Sequence, residues 1–387
     1  MTMAADLHEA THAQRLRERL RQAVTAAGGW LSFDEYMRLA LYAPGLGYYS
    51  AGAHKLGAGG DFTTAPEISR LFGQCLAQHC HQVLTALGGG EVLEIGAGSG
   101  RLAFDVLSAM HLLGRPLQRY RILEISADLR ARQRALIATL PDALAECVEW
   151  IDAPPSEPWQ GALLANEVLD ALPVSSFAWR NGEVFENGVC TTRDGSFDWM
   201  ERDATPTLRD EVLRLRADAS VQWPDGYCSE VCTSSQSWVA EVTRSLQRGV
   251  ALFIDYGTSR REYYHPQRSA GTLRCHYRQQ AHDNPFAHPG MEDITAWVDF
   301  TRVAEAADAA GLDVLGYATQ AALLLGLGIE AQVSAAADER TRIMRAAEAR
   351  QLLMPEEMGE HFKAMALGRG FDAPLAAFAH QDLRDRL

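Results

Sequence analysis

The run Val92-Leu93-Glu94-Ile95-Gly96-Ala97-Gly98-Ser99-Gly100-Arg101-Leu102 constrains this chain more than any other stretch. An apolar segment stops in a glycine-rich turn and resumes with helical character. The pattern predicts strand, tight loop and helix. Glycine at 96, 98 and 100 lets the backbone take positive φ and approach a ligand closely, while the N–H groups of a helix starting near Arg101 point at whatever lies there. Such a loop is a seat for a cofactor, with Gly96, Ala97, Gly98 and Gly100 as its floor.

Spacing decides which cofactor. A dinucleotide loop reads G-x-G-x-x-G, and the sixth position counted from Gly96 is Arg101, so the third glycine comes one place early. Glu94 adds a carboxylate just before the loop, where a cationic amino or sulfonium group is favoured and a pyrophosphate is repelled. Both details favour S-adenosylmethionine over NAD. The run Tyr120-Arg121-Ile122-Leu123-Glu124-Ile125-Ser126 predicts the next strand and places Glu124, followed by Ile125, where a ribose diol is held. The alternative is a plain glycine turn with two solvated glutamates.

The 387 residues carry a formal net charge of -14, which works against nucleic acid as a partner because phosphate binding needs clustered basic residues. Seven cysteines form no C-x-x-C pair, which predicts free thiols in a reducing, cytoplasmic setting. No apolar run approaches the roughly 18 residues of a membrane span. The acidic residues Asp6, Glu9 and Glu18 among the N-terminal arginines fit neither a signal peptide nor a transit peptide, so the expected chain starts at Met1. Cys275, His276, His282 and His288 match no standard zinc spacing, and no metal is expected.

Taken in order, Leu7–Ala27 predicts a helix closed by Gly28-Gly29. Ser32 with Glu35 predicts a capping box for a second helix through Tyr42. Residues 50–66 read either as a connector or as a lid and substrate rim, with Tyr49, Gly60, Asp61, Thr63, Thr64 and Glu67 as its candidates. Ile68–Leu87 is an amphipathic helix. From Glu91 the pattern alternates strand and helix, the mark of a parallel sheet with crossovers. Asp152 closes the third strand, placed to receive an adenine amino group. Gly161–Ala165 is the fourth strand and runs into Asn166-Glu167-Val168-Leu169-Asp170, which should share the crevice with the glycine loop. Asn181-Gly182 and Asn187-Gly188 predict hairpin turns within an insertion, Cys232–Gln247 a helix, and Val250–Gly257 an apolar fifth strand ending near Asp255. A long polar stretch, Thr258 to Ile294, should pack on the crevice. Trp297–Gly311 is expected as helix, Leu312–Thr319 as strand, and Ala331–Leu353 and Glu356–Leu367 as helices. The fold class is therefore α/β: a Rossmann-like sheet with helices on both faces, an N-terminal helical and lid segment, and an inserted hairpin and loop region. The expected units are 1–88, a core of 89–327 with insertions at about 175–231 and 258–296, and a helical segment of 328–387.

Several runs together resemble the MidA-type family of class I methyltransferases, whose mitochondrial members are complex I assembly factors. They are Gly60-Asp61-Phe62-Thr63-Thr64-Ala65-Pro66-Glu67-Ile68-Ser69, the glycine motif Leu93 to Gly100, Ala165-Asn166-Glu167 with Asp170-Ala171-Leu172-Pro173, Asp255-Tyr256-Gly257, Gly271-Thr272-Leu273-Arg274 and Asp293-Ile294-Thr295-Ala296. The resemblance runs in order from about Phe33 to Leu327. It implies S-adenosylmethionine-dependent methylation of a protein arginine, with the glycine loop and Glu124 holding the cofactor. The partner it implies is a protein substrate, in mitochondrial members a respiratory-complex subunit or assembly intermediate; a homodimer is a further expectation. The chain departs from the family pattern at Gln279 and Trp297, where histidine is common.

Methyl transfer asks the protein to align nucleophile and methyl group and to stabilise moving charge. For an arginine nucleophile, Glu167 and Asp170, or Asp255 across the crevice, can grip the guanidinium, and Asn166 can instead accept a hydrogen bond from an amine or amide. Glu167 and Asp170 also have a plain reading as caps of the turn before Pro173. Three functions stay open at this point: a protein arginine methyltransferase with an acidic crevice, a small-molecule methyltransferase with an enclosed apolar pocket, and a non-catalytic cofactor-binding assembly factor.

Overall fold

The computed structural model describes residues 3–50, 64–114 and 117–387. The alternating pattern in mid-chain builds an eight-stranded sheet whose main strands are β1 (Glu91–Ile95), β2 (Tyr120–Leu123), β3 (Val148–Ile151), β4 (Trp159–Asn166), β5 (Leu246–Thr258), β6 (Asp313–Thr319) and β7 (Phe362–Arg369). Their spatial order is β3-β2-β1-β4-β5-β7-β6. The first five run parallel, and β7 is antiparallel to both of its neighbours. The order reverses between β1 and β4, and a ligand crevice opens at the carboxyl ends of strands where such a reversal falls.

β5 shows why the sheet is doubly wound. Leu252 and Ile254 point into the core beneath the helices Arg70–Leu87 and Arg101–Leu112, while Ala251 and Phe253 point into the core beneath Ser235–Thr243 and Phe300–Ala309. Both faces are covered, so the strand is apolar at every position from Val250 to Ile254 rather than at alternate ones. Each large side chain buried this way contributes roughly 1.5–3 kcal/mol.

The N-terminal helices Met3–Ala26 and Phe33–Tyr42 do not stand apart from the insertion after β4. Leu31–Ser32 pairs with Glu183–Thr191 in a five-stranded antiparallel sheet that also holds Ser175–Arg180, Phe197–Asp203 and Tyr227–Val231. Leu16, Leu20, Phe33 and Tyr36 share a core with Val189 and Phe197 of that sheet. The second insertion contributes a three-stranded sheet in the order Gln280–His282, Arg274–Tyr277, Asp293–Thr295.

Several local expectations are corrected. Asn181-Gly182 is a hairpin turn with φ 52 and 85, but Asn187-Gly188 lies inside the strand Glu183–Thr191. A Cβ at Gly188 would sit 2.2 Å from the Trp30 ring, so this glycine makes room for an indole and not for a turn. The capping box at Ser32 does not form: the hydroxyl caps nothing, and Glu35 instead bonds Arg38 at 2.6 Å. Cys232–Gln247 is helical only over Ser235–Thr243, because β5 starts at Leu246. The helix expected over Ala331–Leu353 is two, Ile329–Ser334 and Glu339–Leu353, the second restarted by Asp338, whose Oδ1 accepts the Thr341 N–H at 2.7 Å. The helix expected over Glu356–Leu367 is instead strand β7, so the chain's last segment completes the central sheet. Its alanine, methionine and leucine run satisfies either pattern locally, and the slot between β5 and β6 selects the strand.

Candidate functional site

The crevice at the reversal is a cavity of about 360 Å³. Its floor is the loop from Gly96 to Ser99; Gly96, Gly98 and Gly100 all take positive φ, at 66, 53 and 86, but Gly100 is not part of the cavity wall. Gly100 caps the helix Arg101–Leu112 and is pressed on Gln133, whose Cγ lies 3.1 Å from where a Cβ would stand. Gln133 is a residue the sequence did not single out. Its Nε2 donates to the Gly98 carbonyl at 2.9 Å and to Glu124 Oε2 at 3.2 Å, and its Oε1 accepts the Trp150 indole N–H at 2.9 Å. One buried amide thus fixes the loop to the acid at the end of β2.

The structure brings Tyr49, Thr64, Glu67, Glu94, Gly96, Ala97, Gly98, Glu124, Ile125, Asp152, Asn166 and Glu167 to the wall of this cavity. Gly60, Asp61 and Thr63 lie outside the described residues. Glu67 bonds the Ser99 hydroxyl, which in turn accepts the Arg101 N–H at 3.2 Å, so the segment before the helix Arg70–Leu87 is docked on the glycine loop. Glu94 is 2 % exposed. Burial pushes its carboxyl up to about 7 against the hydrogen bond of the Tyr120 hydroxyl at 2.5 Å. Burial likewise raises Glu124, whose Oε1 accepts the Ser126 N–H at 2.9 Å. Ile125 is 64 % exposed and turns a bare aliphatic face to the cavity.

β4 ends at Asn166, and Glu167 takes φ 54, a left-handed conformation uncommon for a residue with a side chain. The chain then turns so that the N–H groups of Val168, Leu169 and Asp170 converge on Asp255 Oδ2 at 3.0, 2.8 and 3.3 Å. The Asp255 Oδ1 accepts the Tyr256 N–H at 2.8 Å. Asp255 therefore does not face the crevice, and its candidacy as a group that touches substrate is corrected: both its oxygens hold the turn that presents Glu167. Burial pushes the Asp255 carboxyl up to about 7 against its four N–H donors, and burial beside Asp255 drives the Asp170 carboxyl well above its ordinary range. Asp170 is not part of the cavity wall either. Burial and the charge of Asp255 push Glu167 up to about 8, opposed by the Asn166 amide, whose Nδ2 bonds Glu167 Oε1 at 3.0 Å. Asn166 Oδ1 is buried without a hydrogen-bond partner, an acceptor left for a ligand.

Among the wall residues that sequence reasoning missed are Tyr42, Trp238 and Glu241. Tyr42 stacks on Tyr49 with ring centroids 5.5 Å apart, and the Tyr49 hydroxyl donates to Asp293 Oδ1 at 2.8 Å. Trp238 and Glu241 stand one helical turn apart, a spacing that in sequence looks like any solvated helix face. The two departures from the family pattern lie elsewhere. Gln279 is at an exposed hairpin tip with φ 65, and the Trp297 ring lies under the Arg268 guanidinium at 4.0 Å.

Glu67, Glu94, Glu124, Asp152, Glu167 and Glu241 line the described cavity, and no arginine, lysine or histidine does. A pyrophosphate would find only repulsion here, whereas a sulfonium, an ammonium and a ribose diol find acceptors. Orphaned Asn166 Oδ1, the glycine floor and the acidic wall all fit S-adenosylmethionine, and the class of protein defined is a Rossmann-like methyltransferase. Residues 75–318 match the model of a family of S-adenosyl-L-methionine-dependent methyltransferases, and the chain belongs to that family.

A COG1565 superfamily member from Burkholderia thailandensis, crystallised with S-adenosyl-homocysteine, is 42% identical, with 97% of each chain covered and a TM-score of 0.93. A native structure from the same organism is 41% identical over 97% of each chain with a TM-score of 0.90. The curated relative "Protein arginine methyltransferase NDUFAF7, mitochondrial" of Danio rerio is 30% identical, covering 87% of this chain and 83% of its own length. The human protein of that name is 28% identical, covering 88% and 80%. The two curated relatives are named mitochondrial, which overturns the cytoplasmic placement expected from the cysteines and the acidic N-terminus. Seven free thiols report a reducing environment and do not distinguish one reducing compartment from another.

Proposed function

We propose that this methyltransferase modifies an arginine side chain of a protein. The observation that carries the reading is the acidic wall of the crevice with Glu167 at its inner end. S-adenosylmethionine supplies a methyl group on a cationic sulfonium. Gly96, Ala97 and Gly98 form its floor, with Gly100 behind them at the start of the helix, Glu124 takes the ribose hydroxyls, Asp152 the adenine amino group, Ile125 the adenine face, and Glu94 the ammonium. Glu167 and Asn166 take the substrate. With its carboxyl at about 8, Glu167 holds a proton in the empty site at neutral pH, and an arriving guanidinium displaces it, leaving carboxylate against cation. That pair orients the attacking nitrogen and favours positive charge on it as the methyl arrives. Asp255 and Asp170 act behind it as positioning residues, and Thr64 and Glu67 border the entrance.

The names of the curated relatives support arginine in a protein as the acceptor, and the resemblance to the MidA-type family supports a respiratory-complex subunit or assembly intermediate as the substrate class. A small apolar acceptor is less well served, because burying it among carboxylates would leave them desolvated and unpaired. The test is incubation with methyl-labelled S-adenosylmethionine and host lysate, followed by hydrolysis of the protein to amino acids. Label is expected in methylated arginine and to be lost with Glu167→Gln; label confined to extractable small molecules, or none at all, rejects the reading.

A further inference from the structure

A second cavity, about 130 Å³, opens at the same edge of the sheet but beyond β5, where β6 and β7 finish the layer. Three hydrogen-bond donors reach it, and none makes an ion pair among the described residues. Tyr317, on β6, is 2 % exposed, and its hydroxyl has no hydrogen-bond partner. Lys363, on β7, is one of two lysines in a chain otherwise reliant on arginine. It is partly buried, and its ammonium bonds the Glu360 carbonyl while making no ion pair among the described residues. Arg386 lines the cavity from the last turn of the chain, with no hydrogen bond or ion pair of its guanidinium among those found between described residues. Thr319 and Lys363 are register partners across β6 and β7, so the strand pairing itself brings these groups together.

A buried hydroxyl without a partner and a partly buried ammonium without a counter-ion are costly, and a charge-assisted acceptor offsets both. Burial lowers the Lys363 ammonium, with Glu360 and Glu262 opposing, as expected of a cation that lacks a close counter-ion. Glu262 and Glu360 also line the cavity. Two acids beside two cations leave no net positive charge, which weighs against a doubly charged phosphate more than against a singly charged ligand.

We propose that this cavity is a binding site for a small carboxylate, held between the Tyr317 hydroxyl, the Lys363 ammonium and the Arg386 guanidinium. The site is separate from the methyltransferase crevice, with which it shares no lining residue. It stands next to the catalytic turn through the sheet, because Lys363 lies directly opposite Asp255 in the β5–β7 ladder.

The probes are acetate and inorganic phosphate, titrated calorimetrically into the full chain at fixed ionic strength, with S-adenosyl-homocysteine titrated separately as a control. Saturable acetate binding is expected, weaker for phosphate, and reduced about tenfold by Tyr317→Phe and by Arg386→Ala, the worth of one hydrogen bond to a charged group. Arg386 is exposed, so its replacement leaves the core intact and keeps the test valid should changes at Tyr317 or Lys363 disturb folding. Affinity for S-adenosyl-homocysteine is expected to be unchanged in both variants. No saturable binding, equal binding in both variants, or tighter binding of phosphate overturns the proposal.

Discussion

The two ends of the crevice are built in opposite ways. The end we propose for the cofactor is local: Glu94 and the glycine loop are one continuous run, and Glu124 follows one strand later, with Gln133 clamping loop to strand. The end we propose for the acceptor is assembled from remote segments. Asp255 reaches back to hold the turn at 168–170, Tyr49 meets Asp293, and Tyr42 stacks on Tyr49 from the N-terminal helices. A local loop can carry a cofactor through many changes of substrate, whereas an acceptor site made of insertions can be rebuilt without touching the loop. The difference also shows in the carboxyls: Glu94 and Glu124 each take a side-chain donor, while Glu167, Asp170 and Asp255 are raised together, by burial first and then by one another.

If the ends are separable, a change at one should leave the other's readout in place. The largest effect is expected from Gly98→Val. A branched side chain at φ 53 is strained by about 1–3 kcal/mol and stands where the ligand must lie. Binding of S-adenosyl-homocysteine should fall below calorimetric detection while far-UV circular dichroism stays native; unchanged affinity in the folded variant would remove the glycine loop from the site.

Next, Glu167→Gln should lower kcat by about a hundredfold with cofactor affinity within about threefold, the loss of a group felt mainly in the transition state. The pH profile sharpens this. A carboxyl raised to about 8 must lose its proton to pair with a guanidinium, so kcat/KM of the native enzyme should rise about tenfold per unit from pH 6 and level off above about 8. The glutamine variant should show no such limb. Stability runs the other way: a raised folded-state pKa makes the contribution of Glu167 fullest below the ordinary carboxyl range and lost as pH rises through about 8. Thermal melts of the ligand-free protein should therefore soften over that window, and less so in Glu167→Gln.

Asp255→Asn should destabilise by about 2–4 kcal/mol, since an amide cannot accept from donors on both sides of the group it replaces. Urea unfolding measures this, and turnover should drop with it by about thirtyfold, with cofactor binding changed far less. Equal losses in both would mean that the two ends are one cooperative unit. The smallest effect is expected at Gln133→Leu, about tenfold in cofactor affinity with little change in kcat at saturation, because only the seat and not the acceptor loses a support.

Much of this was legible in the sequence where chemistry and backbone are adjacent. The strand, loop and helix around Gly96 to Gly100, the acid at Glu124, and the turn at Asn166-Glu167 are all where periodicity and strand ends put them. Illegible were the residues whose partners are far along the chain. Gln133 looks like one polar residue on a helix until its three bonds are seen. Asp255 has the composition of a crevice carboxylate and the geometry of a cap. Gly188 reads as a turn because nothing local discloses Trp30.

The sequence by itself determined the glycine loop, the acids at the strand ends beside it and the parallel core, because glycine conformations, apolar runs and strand-end acids act over a few residues and need no distant partner. Only the tertiary structure decided which carboxylate faces the acceptor, that Phe362–Arg369 is the antiparallel strand closing the sheet, and that a hydroxyl and two cations meet beside it. Those outcomes depend on which backbone donors and which open sheet edge are presented across long loops, and a linear pattern carries no record of that.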